Sequence, residues 1–252
     1  MDRYAEDVHM KAIEVRGLTK TFGDHTIFSK LSLHVAPGEL VALLGPSGCG
    51  KTTILRCLAG LEKPDAGWFN VNGSSGIVFQ EPRLFGWLDV RGNVAFGART
   101  PEERARIDEL IELVGLSPAA TKLPKELSGG MAQRAALARS LVRNPQVLLL
   151  DEPFAAVDAL RRYELQRQLR TIVEARGLSA LLVTHDVDEA IFLADRILVL
   201  GGEPATIRAE LAQGANREQL LAALASDGKD DVSAVIPSEA EGSRITSART
   251  TC

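Results

Sequence analysis

The chain has 252 residues, 25% of them charged and 45% hydrophobic, and a formal net charge of -4. That length suits one sizeable α/β core with inserted parts. The net acidity argues against a broad basic surface, so no nucleic-acid partner is expected.

The first residues, Met1 to Asp7, are polar and acidic and do not read as a signal peptide. Ala12–Val15, Thr26–Phe28 and Leu31–Val35 are short and half apolar, with turn signals at Phe22-Gly23-Asp24 and Ala36-Pro37-Gly38. They predict antiparallel strands. Leu40–Leu44 is continuously apolar, as a strand buried on both faces is. It runs directly into Gly45-Pro46-Ser47-Gly48-Cys49-Gly50-Lys51-Thr52-Thr53, a full G-x-x-x-x-G-K-[ST] match. Thr52–Leu61 reads as the helix that follows. Trp68–Val71 and Gly76–Phe79 are further short strands, with Asn72-Gly73 predicted as a hairpin turn between them.

After Gln80 the pattern turns helical. Residues 101–114 space their apolar positions for a helix, start at Pro101 and carry acids in the first turn. Ser128 is the predicted cap of a helix through Met131–Val142, so residues 81–140 read as a mostly helical insertion. Val147–Leu150 and Ala180–Val183 are buried strands, separated by a long helix over Leu160–Ala175. Val187–Ala194 is a short helix, Arg196–Leu200 another strand and 216–225 a last amphipathic helix. This alternation argues for a parallel sheet with helices on both faces. Residues 227–252 are polar and aromatic-free and predict a disordered tail. Cys49, Cys57 and Cys252 have no metal-ligand spacing and are expected as reduced thiols. No apolar run approaches the ~20 residues of a membrane span, so a membrane role requires a partner.

The phosphate loop predicts nucleotide chemistry. Backbone N–H groups from Gly48 to Thr52 would wrap a β-phosphate at a helix start, where the dipole favours an anion. Lys51 would reach the β- and γ-phosphates, and Thr52 would ligate Mg²⁺. Asp151 and Glu152 end a core strand at the same sheet edge. The aspartate would hold Mg²⁺ through water and the glutamate would polarise the attacking water. His185 ends the adjacent strand and faces the γ-phosphate or the water. Gln80 ends another strand and would sense Mg²⁺ and the water while opening the helical insertion. A second glycine motif, Leu127-Ser128-Gly129-Gly130-Met131-Ala132-Gln133, offers a further anion site at a helix head. One chain's phosphate loop already surrounds most of its nucleotide. The second motif is therefore expected to act on a neighbouring subunit's γ-phosphate, with ATP sandwiched between two copies.

In this order, the phosphate loop, Gln80, Leu127–Gln133, Leu148-Leu149-Leu150-Asp151-Glu152-Pro153 and His185 resemble the ATP-binding subunit of an ATP-binding cassette (ABC) transporter. The resemblance spans about residues 12–224. It implies a P-loop NTPase core with a mostly parallel sheet, an N-terminal antiparallel β subdomain and an inserted α-helical subdomain, over an ATPase domain of residues 1–226. It also implies that Phe22 stacks on adenine and that Asp158, in Ala155-Ala156-Val157-Asp158, belongs to a loop crossing the dimer interface. Phe79-Gln80-Glu81, Leu84 to Trp87, Asn93-Val94, Asp186-Val187-Asp188-Glu189-Ala190 and Glu203 to Ile207 resemble importers for nitrate, aliphatic sulfonates and taurine. Two stretches are shorter than usual in that group, Gly67 to Gln80 and Gly97 to Arg106, and both lie near the surface expected to dock the membrane subunit. The implied partners are a second ATPase subunit, transmembrane permease subunits and a periplasmic or extracellular solute-binding protein. The implied place is the cytoplasmic face of the membrane. An ABC exporter subunit and a soluble, non-transport ABC ATPase are the competing classes.

Overall fold

The computed structural model describes residues 11–155 and 157–225. The expected tail, 227–252, lies outside the described residues.

Two sheets organise the chain. The first is antiparallel and contains β1 (Ile13–Phe22), β2 (His25–Val35) and β4 (Ala66–Val71) in the order β2-β1-β4, with β3 (Leu40–Leu44) belonging elsewhere. The two short strands expected at 26–28 and 31–35 are one strand. It is kinked where the register against β1 shifts, and Lys30 adopts a left-handed φ of 51° there.

The second sheet has six strands. They are β3, β5 (Ser75–Val78), β6 (Val147–Asp151), β7 (Ser179–Thr184), β8 (Arg196–Gly201) and β9 (Thr206–Ala212). The order is β5-β6-β7-β3-β8-β9, with every pairing parallel except β8 with β9. The expected Asn72-Gly73 hairpin is therefore incorrect. β4 pairs with β1, placing Val15 opposite Phe69, whereas β5 pairs with β6, placing Ile77 opposite Leu149. The turn joins two sheets. Gly73 takes φ 81°, and a Cβ there would collide with the Gln146 side chain.

Strand periodicity sorts the buried residues into two cores. Leu40, Ala42, Leu44, Leu148, Leu150, Ala180 and Leu182 face one core, shared with most helices. Val41, Leu43, Val147, Leu149, Leu181 and Val183 face the other. That second core also holds Ile54, Leu55 and Leu58 of helix α1 (Lys51–Leu58) and the inner residues of the antiparallel sheet. Each fully buried leucine or isoleucine contributes about 1.5–3 kcal/mol, so α1 is fixed from both sides by apolar packing.

Between β5 and β6 lie α2 (Val90–Ala95), α3 (Pro101–Ala105), α4 (Ile107–Leu113) and α5 (Gly129–Leu141), the inserted helical subdomain. The single helix expected over 101–114 is broken at Arg106. A capping box at Thr100 starts α3, which buries no side chain, while Ile107, Leu110 and Ile111 of α4 form the buried stripe. Helices α6 (Ala159–Arg176), α7 (Val187–Leu193) and α8 (Arg217–Ala225) complete the fold. Among the described residues no helix is long and apolar enough to cross a membrane.

Candidate functional site

The carboxyl ends of β3, β5, β6 and β7 point to one edge of the parallel sheet, the usual ligand edge of an open α/β sheet. The loop after β3 carries the phosphate motif. Gly48 and Gly50 have φ of 84° and 94°, and a Cβ on Gly50 would sit 2.4 Å from Ile27 Cγ2. Gly50 caps α1 without any side-chain hydrogen bond, so the first N–H groups of this helix are left for an anion. Lys51 is buried, and its Nζ donates to the carbonyls of Gly45 (2.8 Å) and Pro46 (2.7 Å). Its third donor meets Cys49 Sγ at 3.9 Å, a weak bond that leaves this N–H the easiest of the three to redirect. Pro46, Ser47 and Gly48 are exposed, and Cys49 and Thr53 are half-buried. Burial pushes the Cys49 thiol up and the Cys57 thiol to about 11, so neither is a poised thiolate.

Thr52 Oγ1 donates to Asp151 Oδ1 at 2.8 Å. Asp151 is only 4% exposed, and burial pushes its carboxyl above the usual range against the pull of Thr52. The next residue, Glu152, takes a left-handed φ of 43°, a conformation that costs a non-glycine residue about 1–3 kcal/mol. Its N–H donates to Val183 O at 2.9 Å, which locks it to β7. The turn aims the carboxylate between two partners. Gln80 Nε2 donates to Oε2 at 3.4 Å, and His185 Nδ1 meets Oε1 at 3.1 Å. Gln80, Glu152 and His185 follow three different strands and meet at one point, with Thr52 and Asp151 joined beside it.

The second glycine motif is held by a different set of elements. Helix α5 packs on α2, α4, α6 and β5, whereas α1 packs on β4, β6 and β7. Ser128 Oγ accepts from Met131 N at 3.3 Å and so caps α5, keeping its own proton to donate outward. Gly129 is exposed beside it, and Gly130 is buried against Val157 and Leu165. Asp158 caps α6 through Arg161 N at 3.1 Å and is exposed. Phe22 is 48% exposed, with Lys20 Nζ 4.7 Å from its ring centre. Gln133 is placed differently from the rest of the motif. Its side chain is buried, and its Nε2 donates to Phe79 O at 3.0 Å, so it holds the Gln80 segment from behind.

Some residues around the site were given no individual role by the sequence. Arg139 of α5 donates to the carbonyls of Pro82 (2.7 Å) and Arg83 (2.8 Å), and Arg83 is itself left-handed at φ 48°. With Gln133, it ties α5 to the Gln80 loop. Glu189, one turn after His185, is 5% exposed. Its Oε2 accepts from Thr184 Oγ1 at 3.0 Å, and its Oε1 has no partner among the described residues. Burial pushes its carboxyl up to about 8.

A pH dependence follows. The unfolded chain releases the Glu189 proton near pH 4.5, whereas the folded chain keeps it until about pH 8. This group's contribution to stability is therefore full below pH 4.5 and is lost as pH rises through about 8. Glu189→Gln mimics the neutral acid, so its melting temperature should gain on the wild type between pH 6 and 8 and level off above. An equal difference at pH 6 and pH 9 would show that Glu189 is not held neutral.

Comparison with known proteins bears on the whole arrangement. The chain is 48% identical over 234 residues to the Aliphatic sulfonates import ATP-binding protein SsuB 1 of Xanthomonas axonopodis pv. citri (strain 306), covering 86% of this chain and 93% of that protein. A SsuB 2 of Pseudomonas syringae pv. tomato is also 48% identical, over 221 residues, covering 85% and 95%. The solved dimer of the ATP-binding cassette MJ0796 in a post-hydrolysis state with ADP and Pi superposes with a TM-score of 0.71 and 29% identity. It covers 81% of this chain and 100% of that one. Residues 28–155 match the family model for ABC transporters, a span that runs from β2 through the phosphate loop, Gln80 and Ser128 to Glu152, and on this match and these relatives the chain belongs to the ABC transporter family.

Proposed function

We propose that this chain hydrolyses ATP to drive import of an aliphatic sulfonate through separate membrane permease subunits, to which it binds from the cytoplasmic side. The observation that carries the ATPase chemistry is the strained Glu152, held between Gln80 and His185 beside the Thr52–Asp151 pair. The substrate class rests on the relatives, whose names specify aliphatic sulfonates rather than nitrate or taurine. A solute-binding protein outside the membrane would supply that substrate.

Phe22 offers the adenine a ring face, and the loop from Gly45 to Thr53 wraps the phosphates. Lys51 meets the β- and γ-phosphates by turning its ammonium from the weak Cys49 Sγ contact to the phosphate oxygens. Thr52, Asp151 and Gln80 form a donor set of hydroxyl, carboxylate and amide oxygens, which suits Mg²⁺. Among the described residues no cluster of three acidic, histidine or cysteine side chains forms a closed metal cage. That also suits an ion that takes much of its coordination from phosphate and water. When bound, Mg²⁺ neutralises charge on the β- and γ-phosphate oxygens. Glu152 orients and polarises the attacking water, and His185 meets the γ-phosphate side. Ser128, Gly129 and Gly130 of one subunit close over the nucleotide of the other, with Asp158 at the seam. ATP binding closes this dimer and hydrolysis opens it.

The grip on the permease falls to an aromatic cluster next to Gln80. Trp87 is 77% exposed and Phe96 63%, and Phe85 lies between them at 5.3 Å and 4.2 Å. Buried Asn93 fixes this segment, accepting from Phe85 N and donating to the carbonyls of Phe85, Leu88 and Asp89. Replacing Phe85 and Trp87 together by alanine should cut sulfonate uptake at least tenfold, as loss of interface anchors does. ATPase activity of the isolated subunit should change less than about twofold, since neither ring touches the Glu152 site. The substrate is tested by deleting the gene. Growth on alkanesulfonates as sole sulfur source should fail and return with the wild-type copy. Unchanged growth and uptake remove the substrate while leaving the ATPase reading in place. Loss on taurine or nitrate alone redirects the substrate.

A further inference from the structure

Arg162 occupies an unusual place. It lies one turn into α6, just after the Asp158 cap. Its Nη2 donates to Val157 O at 3.2 Å and its Nη1 to Asp186 Oδ2 at 3.2 Å. Its Nε is buried and has no hydrogen-bond partner among the described residues. One planar guanidinium thus bridges two loops that are distant in sequence. Val157 directly precedes Asp158, and Asp186 directly follows His185.

The His185 end of this bridge is stiff. Asp186 Oδ1 accepts from Asp188 N (2.9 Å) and Glu189 N (3.2 Å), capping α7. Thr184 Oγ1 accepts from Asp186 N (3.0 Å) and donates to Glu189 Oε2 (3.0 Å). The residues on both sides of His185 are therefore anchored, while its imidazole is half exposed and meets Glu152. The Val157 end is part of the same packing as the second glycine motif, because Gly130 lies against Val157. A shift at Asp158 moves Val157 O, and the rigid fork passes that shift to Asp186 and the His185 backbone.

We propose that Arg162 is a positioning residue that links the arrival of a second subunit at the Asp158 loop to the placement of His185 for hydrolysis. Its action is on turnover and not on nucleotide binding. The proposal rests on the roles given above to Asp158 and His185.

The test uses the full chain with Arg162→Met, Arg162→Lys, Asp186→Asn and the double variant Arg162→Met/Asp186→Asn, with His185→Ala in parallel. Folded Arg162→Met should lose at least tenfold in kcat, with KM for ATP within twofold of wild type. In a Glu152→Gln background it should still dimerise at an ATP concentration within threefold of Glu152→Gln alone. Arg162→Lys should recover part of kcat, because an ammonium can keep Asp186 but lacks the fork that also reaches Val157 O. The double variant should be no slower than the slower single variant, since both cut one connection. Wild-type kcat in folded Arg162→Met, or in Arg162→Lys should the methionine variant not fold, overturns the proposal. So does a raised KM with unchanged kcat, which marks a binding defect only. If His185→Ala is inactive while the Arg162 variants are normal, the proposal alone fails. Wild-type turnover in His185→Ala removes the underlying role of His185 and the proposal with it.

Discussion

Glu152→Gln is expected to lower kcat for ATP hydrolysis by about 10²–10⁴-fold, the range for loss of a positioned general base. ATP affinity should stay within about threefold, because the nucleotide's phosphates are held by the Gly45–Thr53 loop and not by this side chain. The substitution keeps size and backbone, so the left-handed turn at φ 43° and the hydrogen bond to Val183 O survive. What changes is the acceptor. A carboxylate can accept hydrogen bonds from Gln80 and His185 on separate oxygens and also polarise an attacking water, whereas an amide offers one oxygen and no negative charge. Closure without hydrolysis then follows, and the variant should accumulate as an ATP-bound dimer visible by size-exclusion chromatography. Turnover at the wild-type rate, or a monomer at saturating ATP, would remove Glu152 from its proposed role.

The reach of the sequence is clearest at the strand ends. Leu40–Leu44, Val147–Leu150 and Ala180–Val183 are runs without polar interruption, which only a sheet covered on both faces accommodates. Whatever follows such a strand emerges at one edge, so the phosphate loop, Asp151-Glu152 and His185 were bound to converge. Local signals were weaker wherever the partner was distant. Asn72-Gly73 has the composition of a hairpin turn, but β4 and β5 find β1 and β6 instead, and composition does not encode that choice. Strand β9 alternates Ile207, Ala209 and Leu211 with Arg208 and Glu210, a readable pattern obscured by the Gly201-Gly202 and Pro204 turn before it. Helix α2 has only six residues and contains Gly92, too little for periodicity to reveal, although Asp89 caps it. Gln133 reads as part of a nucleotide motif, yet one helical turn rotates it inward to Phe79 O. Arg139, Arg162 and Glu189 matter through contacts across 56, 24 and 5 residues, with no spacing rule to mark them.

The arrangement of the two glycine motifs leads to a second large effect. Lys51→Ala disables the phosphate loop of its own chain, and Ser128→Arg fills the site that the chain offers its neighbour. Each variant alone should form a homodimer with both ATP sites defective. In a symmetric two-fold dimer, mixing the two redistributes the defects: one site receives both, and the other keeps an intact phosphate loop and an intact Ser128. With equal mixing, about half of the dimers are mixed, so about a quarter of the wild-type number of sites should trap ATP in a Glu152→Gln background. Were Ser128 to serve its own chain's nucleotide, every chain in the mixture would be defective and trapping would stay at the level of the single variants. The first outcome is the one expected from the proposed sandwich, in which Ser128 caps a helix of the inserted subdomain whose packing partners differ from those of α1. Trapped nucleotide counted against dimer concentration decides between them. A photo-crosslink from position 128 to the nucleotide adds the geometry: reaction only with nucleotide bound by the same chain would end the sandwich model.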